Sequence, residues 1–278
     1  MEIHVINLKR DVEKWKLFTN QVKPTTRLKF TRFNAIDGNK PDTNTTTVSV
    51  SSICNEVICN NGIIGCAQSH ISLWKQLLES DSSYYIIMED DAQFDTKQLE
   101  YTLNTIDEYL SDKDNLIISL MCVGPFCNVG TTYQIGNYTA IASLFPLCTT
   151  AYIITKGAAR HLLKEMKETV NYHIDFEIAK HLLLSKDVHY LVMTPNIVTA
   201  RDVDSSIGSK HKRSILFGWS NRLMWYCNIP IWKFSNLYSS ILFLSLLLFL
   251  IIGIQRRKLI YIIIILFIIL ELIVFNKM

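Results

Sequence analysis

A short apolar run, Tyr84-Tyr85-Ile86-Ile87-Met88, ends in three consecutive carboxylates, Glu89-Asp90-Asp91. The run is short, β-prone and flanked by polar residues, which predicts a buried strand. Three acids at the end of such a strand cannot be buried unpaired without a large free-energy cost. They must reach solvent, a cation or a ligand. In open α/β sheets, ligands bind in the crevice beyond the carboxyl ends of the strands. Clustered hard oxygens in that crevice suit Mg²⁺ or Mn²⁺, and either ion suits a diphosphate. A solvated acidic loop is the competing reading of these three residues alone.

The rest of the first 200 or so residues supports a layered α/β fold. Glu2–Leu8 reads as a first strand, Arg10–Gln21 as an amphipathic helix, and Leu28–Ile36 as a second strand closed by the Asp37-Gly38 turn. Pro41–Ser52, rich in Thr, Ser and Asn, reads as a loop. The Gly62-Ile63-Ile64-Gly65 turn leads into a helix from about Cys66 to Glu79, and a further helix covers Gln98–Leu110. A strand at Asn115–Val123, a loop at Gly124–Asn137, one or two strands in Ile141–Thr155, and a helix at Lys156–Glu168 follow. The series closes with a helix at Phe176–Leu184 and a strand at His189–Met193. This alternation predicts a mostly parallel central sheet with helices on both faces. There is no GxGxxG and no GxxxxGK[ST] motif, so neither a common dinucleotide fingerprint nor a P-loop is present.

The C-terminal part differs in kind. Leu237–Ile254 is 18 residues without a charge, and Leu259–Val274 is 16 residues with one, Glu271. A membrane span needs about 20 apolar residues, with a lower bound of roughly 17. Trp219, Trp225, Tyr226, Trp232 and Tyr238 precede or open the first segment, as in an interfacial belt. The expected organisation is therefore a catalytic domain over 1–215, an aromatic membrane-proximal linker over 216–236, and an anchor over 237–275 as one span or a hairpin. The net charge of +3 is too small to argue for nucleic acid. The seven cysteines show no CxxC pair, which speaks against zinc. Read as mostly reduced, they favour a cytoplasmic catalytic face. The N-terminus lacks the basic and long apolar regions of a signal peptide.

Several segments, in order, resemble the family 25 glycosyltransferases. This family includes bacterial lipooligosaccharide galactosyltransferases and the transferase domain of procollagen galactosyltransferases. The segments are Val5-Ile6-Asn7-Leu8-Lys9-Arg10, Arg32-Phe33-Asn34-Ala35-Ile36-Asp37-Gly38, Gly62 to His70 (GIIGCAQSH), Ile86 to Asp91 (IIMEDD), Thr150 to Ala158, and Ile174-Asp175. The resemblance covers about residues 3 to 210 and implies a GT-A-like nucleotide-sugar-binding fold. It implies transfer of a hexose, galactose or glucose, from a UDP-sugar with inversion, onto a glycan, lipid-linked or protein hydroxyl. A non-catalytic binding module at a membrane is the alternative.

On that reading Asp91 and Glu89 hold Mn²⁺ or Mg²⁺, while Glu89 or Asp90 reaches the ribose. Asn7, Arg10 and Asp37 meet the uridine or its phosphate. Asp175, with Glu177 second, is the base that takes the acceptor proton, and His70 contacts the donor.

Overall fold

The computed structural model describes residues 1–39, 48–52, 54–123, 127–143, 146–182, 185, 187–201, 230–234, 237–240, 248 and 251–252. In chain order the elements are β1 (Glu2–Asn7), α1 (Val12–Asn20), β2 (Lys29–Asn34), β3 (Ser49–Val50), a π-helical turn (Cys54–Ile58), α2 (Asn61–Glu79), β4 (Tyr84–Glu89), β5 (Ala92–Gln93), α3 (Thr96–Leu110), β6 (Leu116–Ser119), β7 (Gly130–Ile135), β8 (Tyr138–Ser143), β9 (Ala151–Thr155), α4 (Lys156–Glu165), β10 (Thr169–Val170), α5 (Ile174–Leu182), β11 (His189–Thr194), β12 (Thr199–Ala200), β13 (Pro230–Phe234) and β14 (Leu237–Ser240).

Among the described residues, eight strands form one sheet in the order β2-β1-β4-β9-β6-β11-β8-β7. Side chains alternate across it, and both faces are buried. Ile3, Val5, Ile86, Met88 and Ile153 point into a core shared with Leu99, Leu103 and Ile106 of α3. Ile6, Ile87, Ile117, Tyr152 and Ile154 point into the opposite core, with Ile71, Trp74 and Leu77 of α2 and residues of α4 and α5. A strand apolar on both faces reads as a continuous hydrophobic run, which is what Tyr84–Met88 and Leu116–Ile118 are.

The expected mostly parallel sheet is corrected to a mixed one. β2, β1 and β4 run parallel, as do β6 and β11, but β9 lies antiparallel between β4 and β6. β8 and β7 extend the far edge as antiparallel strands. β7 falls in the stretch read as a loop. Its first five residues are exposed and largely polar, so it carries no apolar alternation to signal a strand.

The parallel part contains the feature that positions the site. From β1 the chain passes to β2 on one side, then returns to β4 on the other. The strand order thus reverses between β1 and β4, and their carboxyl ends open a crevice at that switch point.

The membrane anchor is also corrected. Among the described residues no helix is long and apolar enough to cross a membrane. The start of the expected span, Leu237–Ser240, is instead a strand paired antiparallel with Pro230–Phe234. Two strand-prone runs separated in sequence by Ser235-Asn236 carry a hairpin signal that the apolar count overrides. Leu248 and Ile251 are helical and exposed. The remainder of 216–275 lies outside the described residues.

The reading of the cysteines as mostly reduced fails as well. Cys54 pairs with Cys59 and Cys122 with Cys127, while Cys66 and Cys148 are free. Each bridged pair is five residues apart, with Cα atoms 4.7 and 5.8 Å from one another, inside bonding range. The expected C-terminal anchor thus has no spanning helix among the described residues, and the cysteines no longer argue for a cytoplasmic catalytic face.

Candidate active site

A cleft opens at the ends of β1 and β4, and six of the residues read from sequence line it: Asn7, Arg10, Asp37, Glu89, Asp90 and Asp91. Cys66 and Ser69 of α2 and Lys14 of α1 line it too. The register explains the grouping. Ile6 pairs with Glu89, so Asn7 lies one residue beyond the β1–β4 ladder, beside the acidic turn.

The floor of the cleft is built by backbone proximity. The start of α2 lies against the loop after β2 so closely that a Cβ on Gly65 would meet the Ile36 carbonyl oxygen and sit 2.7 Å from the Gly38 nitrogen. A Cβ on Gly38 would in turn strike the Asn61 carbonyl. Only glycine fits at either point. Ser69 locks the contact, donating to the Gly65 carbonyl at 2.7 Å and accepting from the Ile36 amide at 2.8 Å. Asn60 caps α2 by accepting from the Ile63 amide. The helix consequently begins at Asn61, earlier than the glycines suggested.

The three acids differ sharply. Glu89 accepts from the Thr149 hydroxyl at 2.7 Å, and its Oε1 lies 3.5 Å from Nε2 of His70. Burial pushes its carboxyl up, but the His70 ring and the Thr149 hydroxyl outweigh burial and hold it below the usual range. Asp90 accepts from the Asn7 side-chain amide. Burial nevertheless leaves Asp90 above the ordinary carboxylate value. Asp91 is pushed up to about 7, first by burial and then by the charges of Glu89 and Asp90. Its Oδ1 is buried without a hydrogen-bond partner. The backbone around it is firm: β5 pairs with β12, and the Arg201 amide donates to the Asp91 carbonyl. Arg10 forms an ion pair with Asp37 across the cleft mouth.

His70 does not line the cleft. It is fully buried behind it, its Nδ1 2.9 Å from the Tyr152 hydroxyl, which also accepts from the Trp74 indole at 2.9 Å. Asp175, at the start of α5, accepts from the Phe176 amide at 2.8 Å and faces Nδ1 of His173 at 3.3 Å. Burial raises its carboxyl, but the His173 contact dominates and lowers it. His173 is raised in turn, its own desolvation overcome by Asp175. Asp175 is outside the cleft lining, although its charge still reaches Glu89 and Cys66. Glu177 goes elsewhere. It is fully buried, with Oε2 3.3 Å from His181 one turn along α5 and Oε1 without a hydrogen-bond partner. Two residues apart on a helix means about 200° of rotation, so Asp175 and Glu177 cannot share a site face.

Cys66, Thr149, Tyr152 and His173 were missed in the sequence. A signal existed for the first: Cys66 and His70 are four apart and therefore share one helix face.

With this geometry in view, comparison with known proteins is informative. The family described as glycosyltransferase family 25 (LPS biosynthesis protein) matches residues 1–178. The chain belongs to glycosyltransferase family 25. A curated protein of Acanthamoeba polyphaga mimivirus, named "Putative glycosyltransferase R655", is 25% identical over 95 residues, 34% of this chain and 29% of that protein. The chain thus matches under a third of that relative's length. Among solved structures, S. aureus TarS 1-349 in complex with UDP-GlcNAc aligns with a TM-score of 0.35 and 11% identity, covering 74% of this chain and 59% of that one. At that score nothing is transferred from it.

Proposed function

We propose that this chain is a metal-dependent inverting transferase that moves a hexose, galactose or glucose, from a UDP-sugar to a hydroxyl of a glycan, lipid-linked or protein acceptor. The observation that carries this reading is the acidic cleft at the β1–β4 switch point within the span matched by family 25.

The residues fit a divalent cation. Asp91 has a buried carboxylate oxygen with no partner and a proton affinity raised by two adjacent acids, a situation that a cation relieves. Asp91 would hold the ion, with Glu89 beside it. When bound, Mn²⁺ or Mg²⁺ supplies Lewis-acid neutralisation of the leaving diphosphate. Asn7 fixes Asp90 by its amide, which orients that carboxylate toward the ribose hydroxyls. Arg10 and Asp37 flank the uridine or its phosphate.

On the acceptor side, direct displacement needs one base. Asp175 takes the acceptor hydroxyl proton as the new glycosidic bond forms and the bond to UDP breaks. Its lowered proton affinity keeps it ionised and ready, and His173 holds it in place. Glu177, turned into the core beside His181, has no part in this reading. His70 supports Glu89 from behind.

The test is UDP release from a panel of UDP-sugars by the full chain, with Mn²⁺, with Mg²⁺ and with EDTA. Cation-dependent release from one donor supports the reading. No release from any donor under any condition overturns it.

A further inference from the structure

One cluster beside the cleft combines Glu89 and His70 with a thiol, Cys66, that the donor-site reading leaves unused. Cys66 and His70 occupy one face of α2, and Glu89 ends β4 opposite them. The Cys66 sulfur, a His70 ring nitrogen and a Glu89 carboxylate oxygen all lie within 4.8 Å of one another. Cys66 and Glu89 line the cleft, which gives an entry path, while His70 is fully buried. Its Nε2 has no hydrogen-bond partner and faces the cluster, with Glu89 at 3.5 Å. A buried ring nitrogen left without a partner is costly and points to a missing ligand.

We infer that Cys66, His70 and Glu89 form a second cation site, selective for Zn²⁺-like ions over Mg²⁺. The warrant is the donor set. A thiolate, an imidazole and a carboxylate suit a borderline-soft ion, whereas Mg²⁺ prefers oxygen alone. Three protein ligands would leave a fourth position open, and two of the three, Cys66 and Glu89, line the cleft. The surroundings match a metal-binding histidine as well. A ligating His donates its other ring N–H to a fixed acceptor, and the Tyr152 oxygen, held by Trp74, stands 2.9 Å from Nδ1. Thr149 orients the Glu89 carboxylate in the same way. The site stands whether or not the chain turns over a UDP-sugar.

The experiment titrates the full chain, disulfides intact, with Zn²⁺ alone by calorimetry, and with Co²⁺ alone by absorption. The expected result is one equivalent bound, with a sulfur-to-cobalt charge-transfer band in the near ultraviolet. Cys66→Ser removes the band, and Cys66→Ser and His70→Gln each weaken binding at least about 100-fold. Tyr152→Phe weakens it about 10- to 100-fold through ring orientation. Cys148→Ser, Cys227→Ser and Asp91→Asn leave both band and affinity in place.

Absence of the sulfur band in the unsubstituted chain overturns the inference without any variant having to fold. So does a band that disappears with Cys148 or Cys227 instead of Cys66. Binding that is lost with Asp91→Asn but kept in Cys66→Ser also overturns it, since the ion would then sit on the acidic turn.

Discussion

Asp91 and Asp175 are two half-buried acids, one lining the cleft and one beside it, and the fold treats them in opposite ways. Asp91 stands beside two other carboxylates, one of its oxygens has no partner, and it is pushed up to about 7. Asp175 has a histidine and a backbone amide as partners and is held below its ordinary value. A carboxylate left short of partners has room for a counter-charge from outside, which under the proposed function is the cation. A carboxylate with an internal counter-ion is held ionised, as the proposed role of a base requires. Under the proposed function, the contrast separates a donor side in the cleft, which lacks a counter-charge, from an acceptor side beside the cleft, which carries its own.

The comparison can be broken most directly at Asp91. Asp91→Asn should lower cation-dependent UDP release about 10³-fold, the scale of losing one electrostatic element of a preorganised site. Steady-state kinetics with Mn²⁺ held in excess would check this, and a fall of less than about tenfold would remove Asp91 from the donor side.

Asp175→Asn should lower kcat about 10²-fold, at the low end for loss of a general base. Donor binding should be little changed, because the defect lies on the acceptor side. Equilibrium binding of UDP beside turnover separates the two effects.

A stability measurement sharpens the contrast. Between about pH 4 and about pH 7 folded Asp91 keeps a proton that the unfolded chain has lost, so its contribution falls as pH rises through that window. Asp175 has the reverse sign: its stabilising contribution is present above the ordinary carboxylate range and is lost as pH falls toward its lowered value. Without added metal, Asp91→Asn should therefore gain on the order of 2 kcal/mol relative to the parent at pH 8 and almost nothing at pH 4. Urea unfolding at the two pH values reads this out.

The smallest effect is expected at Glu177. Glu177→Gln should change turnover by less than about threefold, because that side chain lies with His181 in the core, away from the cleft. A loss comparable with that of Asp175→Asn, without loss of fold by circular dichroism, would put the base on Glu177 and undo the comparison.

Much of the donor side was legible in the chain because it sits where strands end. Asn7, Asp37 and Glu89–Asp91 each follow an apolar run, and a parallel sheet gathers such ends at one edge. The acceptor side was harder. Asp175 and Glu177 look equivalent in a string of letters, and only the helical rotation between them separates the site from the core. The direction of β9 was not legible at all, since a strand has the same period whichever way it runs. The glycines of α2 hid its first turn, as poor helix formers do when tertiary contact requires them. At the C-terminus, apolar content concealed a strand pair, because a count of hydrophobic residues carries no information about chain reversal.

The antiparallel placement of β9 also sets a timetable for synthesis. β1, β2 and β4 can pair as soon as residue 89 has emerged, and by then every residue that lines the acidic cleft but Asp90 and Asp91 has been made. The centre of the sheet stays open, because β4 and β6 touch only through β9, which ends at Thr155. Tyr152, on that late strand, is the residue that fixes His70. A nascent chain halted on the ribosome before β9 would thus carry the charges of the acidic cleft with the His70 ring behind them not yet aligned, and the strand that joins β4 to β6 is the one that brings its partner, Tyr152.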